Sequence, residues 1–291
     1  MSVATGRTTD GDTPSSPAEP EGVGELYDRM TDLMDRTRGG YQHGGLWAGP
    51  EPARTAVEAG DRLTDRVGAP LGYARGGTLL DVGSGSGKAS LRMAERLDVA
   101  VVGITLSPYE ARLSQQRAAQ NPPPRGARFH VADVRELPYE NDSFDAAVAI
   151  ESICHLDDRV EGFRELARVL RPGSRLALTD FVLRRPYADP RTAGRVDEQM
   201  EIWHQGPVLS ASDYASQLRA GGLDLVDLDD LGEAVRPAWN QVADDMLAGW
   251  PELKNLQGAS YATFEDMAAQ LRWFGSVTEI GYGLYVARVP G

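Results

Sequence analysis

The segment Thr78-Leu79-Leu80-Asp81-Val82-Gly83-Ser84-Gly85-Ser86-Gly87 decides the fold of this 291-residue chain. A short apolar run leads directly into a glycine-rich loop, and residues 89–97 follow with the spacing of a helix. Glycine permits the sharp turn between strand and helix, and it lets a ligand approach the main chain without meeting a Cβ atom. The stretch therefore predicts a buried strand, a ligand-binding loop and a helix.

The alternation of strands and helices continues after this unit. Further segments with strand-like patterns predict strands at 99–104, 127–131, 144–150, 175–181, 223–228 and 281–289. The run at 144–150 is almost continuously apolar, which is typical of a strand covered on both faces. Strands alternating with helices at this spacing indicate βαβ units, so we expect an α/β fold with a mainly parallel sheet flanked by helices.

Composition divides the chain into four predicted parts. Residues 1–20 are rich in Thr, Ser, Pro, Asp and Gly and carry almost no large apolar side chains, so we expect a disordered tail. Two predicted helices around a Gly- and aromatic-rich loop make residues 21–77 an N-terminal helical lid. Residues 78–185 form the predicted ligand-binding core, and residues 186–291 a helical cap plus the C-terminal strands that complete the sheet.

Charge and cysteine content limit the partners of the chain. A net charge of -13 argues against a nucleic-acid or anionic-membrane surface and leaves a small molecule as the expected partner. The single cysteine, Cys154, excludes an internal disulfide, and the chain lacks membrane-length apolar runs and a secretory signal. We therefore expect a cytoplasmic protein. The spacing of the four histidines argues against a histidine metal site, and the sequence does not indicate the oligomeric state.

The glycine loop allows several interpretations. A phosphate-binding P-loop needs glycine at the position of Val82 and Ser or Thr at that of Ala89, so this interpretation fails despite Lys88. The dinucleotide fingerprint G-x-G-x-x-G needs glycine where Lys88 stands, and it also fits poorly. A plain glycine-rich turn stays open when the loop is considered alone.

An acidic residue two positions before G-x-G-x-G resembles the first motif of class I S-adenosylmethionine-dependent methyltransferases. The resemblance implies a Rossmann-like, mainly parallel seven-stranded sheet and S-adenosylmethionine as cofactor, with S-adenosylhomocysteine as product. It also allows magnesium, which nothing in the sequence indicates. The cofactor contacts that it implies in this loop are Asp81, Gly83, Ser84, Gly85 and Gly87.

Motifs further along the chain extend this resemblance to residues 78–181. Thr105, Leu106 and Ser107 end the second strand where the family contacts the ribose, with Thr105 at a place where an acid is common. Asp133 and Val134 follow the third strand and resemble the adenine-binding motif, although Asp133 alone fits a helix or turn cap equally well. The resemblance also implies that Glu151, after the fourth strand, contributes to the cofactor site.

His155 and Asp180 are the candidate catalytic residues. Both follow neighbouring strands, and ligands of open α/β sheets bind beyond the carboxyl ends of the strands. Histidine suits proton removal from a hydroxyl because its unperturbed pKa is near 6.5. Similarity to natural-product methyltransferases of the rebeccamycin sugar type implies that His155 is the general base and that Asp180 orients it. The structural alternative is that His155 caps a helix and Asp180 only packs.

The acceptor is not encoded in these motifs. Tyr27, Tyr41, Trp47 and Trp203 are candidate substrate contacts because they lie in the predicted lid and cap, yet aromatic residues there often serve only packing. An O-methyltransferase acting on a small natural product is the leading interpretation, and transfer to nitrogen or carbon stays open. Residues 58–67 resemble a stretch of the methyltransferase-like cyclase of the spinosyn pathway, so a cofactor-bound cyclase is the alternative.

Overall fold

The computed structural model describes residues 22–72, 76–253 and 261–291. The tail predicted at residues 1–20 lies outside the described residues. No helix within the described ranges is both long and apolar enough to cross a membrane.

Eight strands of the described chain form one sheet. They are β1 (Thr78–Val82), β2 (Ala100–Thr105), β3 (Ala127–Val131), β4 (Phe144–Ile150), β5 (Leu170–Leu183), β6 (Leu209–Ser210), β7 (Asp224–Asp230) and β8 (Ile280–Arg288). Seven of them follow the order β3-β2-β1-β4-β5-β8-β7, and the two-residue β6 pairs with β5 beside this path. The pairs from β3 to β5 are parallel, whereas β8 runs antiparallel to both of its neighbours. The predicted mainly parallel sheet is confirmed, and β6 is an addition to the seven expected strands.

Helices lie on both faces of this sheet. They are α1 (Val23–Arg38), α2 (Ala56–Gly68), α3 (Lys88–Leu97), α4 (Pro108–Gln120), α5 (Arg159–Val169), α6 (Pro190–Ile202), α7 (Ala211–Ala220), α8 (Gly232–Val235), α9 (Pro237–Leu253) and α10 (Tyr261–Ser276). One buried cluster joins the sheet to α2, α3 and α6, and a second joins its other face to α5 and α7. This three-layer arrangement explains why β4 is apolar along nearly its whole length.

Alternation along β5 assigns its side chains to the two faces. Ala177 and Phe181 enter the cluster shared with α2 and α6, whereas Leu178 and Val182 enter the cluster shared with α5. Successive side chains of a strand point to opposite faces, so Thr179 and Asp180 must also face opposite layers. This placement decides which polar groups reach the site.

The β5 strand is longer than its sequence predicts. The predicted start at residue 175 becomes Leu170, because Arg171-Pro172-Gly173 ends α5 without ending the extended chain that follows. Gly173 adopts a φ of 82°, and the pairing register with β4 shifts between Phe144 and Ala146. The predicted helix break is therefore accommodated as an irregularity inside a strand.

Candidate active site

A cavity of about 490 Å³ opens at the carboxyl ends of β1, β2 and β4. Its size falls within the range of small-molecule and cofactor sites, roughly 300 to 1,000 Å³. The start of α1 and residues 40–43 form its opposite wall. The predicted cofactor residues that line it are Asp81, Gly83, Ser84, Gly85, Thr105, Leu106, Ser107, Asp133, Val134 and Glu151. The structure thus brings them together, and their contacts with a cofactor stay a prediction.

Two glycines of the loop, Gly83 and Gly87, have different structural tasks. Gly83 and Gly87 have φ values of 72° and 80°, which side-chain-bearing residues rarely adopt. A Cβ atom on Gly83 would come within 2.3 Å of the Ser152 side chain, and one on Gly87 within 2.6 Å of that of Ser114. Gly87 therefore permits close packing of α3 against α4, and it does not line the cavity. The predicted contact of Gly87 with the cofactor is therefore not supported by a position on the cavity wall.

Asp81 is a buried carboxylate at the end of β1. Its side chain is 3% exposed and accepts a hydrogen bond of 2.5 Å from Ser90 Oγ. Burial raises the pKa of Asp81 to about 6, and the Ser90 hydrogen bond opposes that rise. Asp81 is fixed by the protein itself, with one edge on the cavity.

Glu110 is a cavity residue that the sequence analysis missed. The residue is 2% exposed, and its carboxylate accepts hydrogen bonds from Thr105 Oγ1 at 2.7 Å, Thr31 Oγ1 at 2.8 Å and Gln42 Nε2 at 2.5 Å. The hydroxyl hydrogen of Thr105 is thus directed to Glu110, so a carboxylate lies next to the position where an acid is common in the family. The sequence did contain a signal for the position of Glu110. Ser107-Pro108-Tyr109-Glu110 has the S-x-x-E pattern of a helix start, which places Glu110 in the first turn after β2. Ser107 Oγ does accept a hydrogen bond from Glu110 N.

Asp133 lies at the cavity beside β3 and is held by Arg135. The Arg135 guanidinium donates to both carboxylate oxygens, with a shortest distance of 2.6 Å from Nη2 to Oδ2. These hydrogen bonds hold the pKa of Asp133 below its usual value. Asp133 is therefore an ionised acceptor at the end of the sheet where the adenine was expected.

Glu151 follows β4 in a left-handed conformation, with a φ of 49°. Its Oε1 atom accepts from Gly44 N at 2.8 Å and from the Tyr282 hydroxyl at 2.6 Å. Burial raises the pKa of its carboxyl group. A non-glycine residue in this conformation costs of order 1–3 kcal/mol, and such strain concentrates at functional sites. The protein fixes one oxygen of Glu151 while the residue lines the cavity.

His155 lies in a 3-10 turn, Ile153–His155, directly after β4. Its Nδ1 atom is 2.9 Å from the carbonyl oxygen of His204, and its Nε2 atom is 3.1 Å from the Tyr27 hydroxyl. A carbonyl oxygen only accepts, so Nδ1 carries the proton and Nε2 presents its lone pair. Burial lowers the pKa of His155 below 6.5, which keeps the imidazole neutral. The geometry provides a proton acceptor at the cavity wall.

The loop after α6 positions this imidazole. His204 has a φ of 52°, and Gly206 N donates to the carbonyl of Cys154 at 2.7 Å. A Cβ atom on Gly206 would lie 2.6 Å from the carbonyl oxygen of Leu156, so glycine is required for this close approach. A backbone carbonyl on a constrained loop therefore orients His155.

The predicted pairing of Asp180 with His155 is absent from the structure. Asp180 instead accepts from Arg159 Nε at 3.2 Å and from Phe181 N at 2.7 Å, and it does not line the cavity. The cause is the alternation along β5, which directs Asp180 to the α5 layer and directs Thr179 toward Glu151 and Tyr282. Arg159 and Asp180 form a buried ion pair, with side chains 1% and 2% exposed.

The four predicted aromatic substrate contacts divide into two pairs. Tyr27 and Tyr41 line the cavity. Trp47 is buried and donates its indole hydrogen to the Gly44 carbonyl at 2.9 Å, away from the cavity. Trp203 stacks on Trp239, with ring centroids 5.6 Å apart, in an aromatic cluster of the predicted cap. For Trp47 and Trp203 the packing alternative describes the structure.

The cavity is predominantly acidic. Its described cations are Lys88 and Arg135. Its carboxylates belong to Asp81, Glu110, Asp133, Glu151, Asp157, Asp158 and Glu161. Such a lining favours a ligand with net positive charge. Across the described chain, no three His, Cys, Asp or Glu side chains cluster closely enough to hold a metal ion.

Comparison with known proteins identifies the class to which the chain belongs. Residues 80–178 match the family described as a methyltransferase domain. The 27-O-demethylrifamycin SV methyltransferase of Amycolatopsis mediterranei is 36% identical over 275 residues, which cover 93% of this chain and 98% of that protein. The O-methyltransferase cnsE of Penicillium expansum is 39% identical over 225 residues, covering 77% of this chain and 80% of that protein. The chain therefore belongs to the S-adenosylmethionine-dependent methyltransferases, as its motifs indicate.

A solved structure extends the similarity to a protein with different chemistry. The [4+2]-cyclase SpnF has a TM-score of 0.79 and 29% identity, over 92% of this chain and 95% of that protein. This confirms the Rossmann-like fold expected from the motifs. A solved structure similar to this chain is therefore a cyclase, and the cyclase interpretation stays an alternative.

Proposed function

We propose that the protein transfers the methyl group of S-adenosylmethionine to a hydroxyl of a small natural product, with His155 as general base. The observation that carries the proposal is the position of the His155 imidazole at the cavity wall. Its Nδ1 hydrogen is held by the His204 carbonyl, and its Nε2 lone pair lies at a cavity lined by the glycine loop and Asp133. Relatives named as O-methyltransferases support oxygen as the acceptor atom.

The residues at the cavity fit the cofactor. S-adenosylmethionine carries a sulfonium, an ammonium and a carboxylate, so its net positive charge suits the acidic lining. Ser84 Oγ is buried in the glycine loop and has no hydrogen-bond partner among the described residues, which leaves it available to a ligand. We assign Asp133 to the adenine and Glu110 to the ribose, with the acceptor beyond β4, and the sheet order β3-β2-β1-β4 supports this arrangement.

The chain's residues then have distinct tasks in transfer. The bound cofactor supplies an electrophilic methyl group on its sulfonium. His155 removes the acceptor proton at Nε2, and the His204 carbonyl accepts from Nδ1 and thereby stabilises the imidazolium that forms. Asp180 has no place in this step, because its carboxylate is committed to Arg159. The acceptor hydroxyl must take the position at Nε2 that the Tyr27 hydroxyl holds.

The proposal is tested by S-adenosylhomocysteine formation with a panel of hydroxylated polyketides and glycosides. Replacing His155→Gln should lower kcat/KM by about 10²- to 10⁴-fold, the usual contribution of a general base, while S-adenosylhomocysteine binds with unchanged affinity in calorimetry. Because burial lowers the pKa of His155, the acid limb of the wild-type profile should lie below pH 6.5. His130→Gln, at an exposed position of β3, is the matched control.

Two results would contradict parts of the proposal. Near-normal turnover by His155→Gln would exclude His155 as the base. Tight cofactor binding with no S-adenosylhomocysteine from any acceptor would favour the cyclase alternative, which the similarity to SpnF keeps in view. That alternative predicts substrate isomerisation without consumption of the cofactor, so chromatography of the same reactions separates the two activities.

A further inference from the structure

We infer that Lys88 binds the carboxylate of the methionyl part of the cofactor. The inference rests on the proposed function, and it assigns a task to a lysine that the glycine-loop motifs leave unexplained. Lys88 is the first residue of α3 and lines the cavity. The cofactor carries one carboxylate. The other charged side chains that line the cavity are mainly carboxylates, which repel an anion.

Lysine is rare in this chain. Lys88 and Lys254 are the two lysines of the sequence, against 30 basic residues in total. Lys254 lies outside the described residues. Lys88 Nζ sits 5.9 Å from the ring centroid of Tyr41, and no described carboxylate is within ion-pair distance of it. Its ammonium group is thus available to a ligand on the cavity side.

Arg135 cannot serve the same purpose. Its guanidinium is committed to both oxygens of Asp133, at the β3 end of the cavity. The adenine is assigned to that end, and the acceptor to the β4 end beside His155. β1 lies between them, so the loop from Gly83 to Lys88 is the place left for the methionyl part.

The N-terminus of α3 has features that favour the binding of an anion. It has no side-chain cap and no acidic residue in its first turn. By contrast, side chains cap the starts of α2, α4, α5, α6 and α7. The free amides and the positive end of the helix dipole favour a negative group there. Ser84 is a second donor for it, with a side chain 6% exposed and a hydroxyl that has no partner in the described chain.

The first test uses the scarcity of lysine. The protein is treated with a limiting amine-acetylating reagent, and acetylation of Lys88 and Lys254 is measured by mass spectrometry. S-adenosylhomocysteine should protect Lys88 at least severalfold and leave Lys254 unchanged. At equal occupancy 5′-methylthioadenosine, which lacks the amino-acid part, should leave Lys88 as reactive as in the free protein. Equal protection by both compounds, or by neither, would overturn the inference.

The second test separates charge pairing from a structural role. Hydrogen bonds between charged groups contribute about 1.5–3 kcal/mol, so Lys88→Met should weaken S-adenosylhomocysteine binding by about 10- to 100-fold. The same variant should bind decarboxylated S-adenosylhomocysteine within about twofold of the wild type, and Lys88→Arg should retain most of the affinity. Calorimetry measures all three, and circular dichroism checks the fold.

The outcomes distinguish the inference from the proposed function. If Lys88→Met weakens both ligands equally, Lys88 acts on the loop and not on the carboxylate, and the inference fails while the proposed function stands. If the wild-type protein binds neither ligand, the proposed function itself fails.

Discussion

Tyr27 covers the lone pair that the proposed reaction requires. Its hydroxyl lies 3.1 Å from His155 Nε2, and the two rings meet edge to face with centroids 5.6 Å apart. Burial raises the pKa of Tyr27, so the hydroxyl keeps its proton and donates it to Nε2. A donor on the lone pair favours the neutral imidazole. One residue of α1 therefore contributes to the protonation state of the base.

Replacing Tyr27→Phe should raise the pKa of His155. Loss of a hydrogen bond worth roughly 0.5–1.5 kcal/mol corresponds to about half a pKa unit to one unit, because one unit equals about 1.36 kcal/mol. NMR titration of the histidine side chains measures the shift without any acceptor, and His155→Gln assigns the resonance. An unchanged or lower pKa would show that Tyr27 does not donate to His155 in solution.

At the scale of single residues, the sequence locates groups along the chain better than it pairs them. His155 was placed correctly at the cavity because the end of β4 follows from an apolar run. The predicted partner of His155 was wrong, because the face of the sheet to which Asp180 points depends on the register of β5. The partner in the structure is the backbone carbonyl of His204, which no side-chain pattern marks. Glu110 was missed because its S-x-x-E pattern also serves as a helix cap.

At the scale of elements, α1 is joined to α4 by polar contacts. Asp35 forms an ion pair with Arg117, whose guanidinium also donates to the Ser86 carbonyl at 2.8 Å. Thr31 donates to Glu110, and the residues at the start of α1 line the cavity. These contacts connect the predicted lid to the glycine loop and to the proposed ribose contact. A change in α1 should therefore alter the binding of the cofactor.

Replacing Asp35→Asn should loosen α1 without unfolding the core. The ion pair is about a quarter exposed, so its contribution is of order 0.2–1 kcal/mol. We expect about two- to fivefold faster hydrogen exchange in residues 23–38 and a similar increase in the dissociation rate of S-adenosylhomocysteine. Exchange mass spectrometry and stopped flow provide the measurements.

Asp229→Asn is the matched control for this variant, since it removes the more exposed Arg66–Asp229 pair on β7. It should leave exchange in α1 unchanged. Equal acceleration in both variants would mean that α1 responds to net charge and not to its contact with α4.

The sequence predicts the elements of the sheet well and the contacts of α1 poorly. The predicted bounds of β3 and β4 match the structure, because both segments are short and flanked by turn residues. The position of α1 is different, because it is fixed by side chains of α4 about 80 residues away and no local pattern reports such pairs.

At the scale of the whole molecule, buried titratable groups connect stability to pH. His43 is 6% exposed, and burial next to Arg38 lowers its pKa to about 3. Its unfolded pKa is near 6.5, so between pH 3 and 6.5 the unfolded chain binds a proton that the folded protein does not. His43 therefore makes the free energy of unfolding rise with pH across this window. Asp81 opposes it, because its folded pKa is raised to about 6.

Replacing His43→Gln should remove this contribution. Relative to the variant, the wild type should lose about 1.4 kcal/mol of unfolding free energy for each pH unit below about 6, with no such difference above pH 7.5. Urea unfolding at several pH values gives the difference directly, and effects of Asp81 cancel in the comparison. His130→Gln on β3 should follow the wild-type curve, and parallel curves for wild type and His43→Gln would contradict the assignment.

The sheet ends at β7, which has consequences for the behaviour of the protein at high concentration. An open strand edge can recruit another chain and begin aggregation or fibril growth. β7 carries Asp224, Asp227, Asp229 and Asp230, of which Asp224, Asp227 and Asp230 are exposed. Asp229 and Asp230 form ion pairs with Arg66 and Arg184, so Asp224 and Asp227 provide the charge at this edge. Two copies aligned along this strand would bring carboxylates together, and like charges on paired strands are destabilising. The acidic edge thus protects the molecule against unwanted growth of its own sheet.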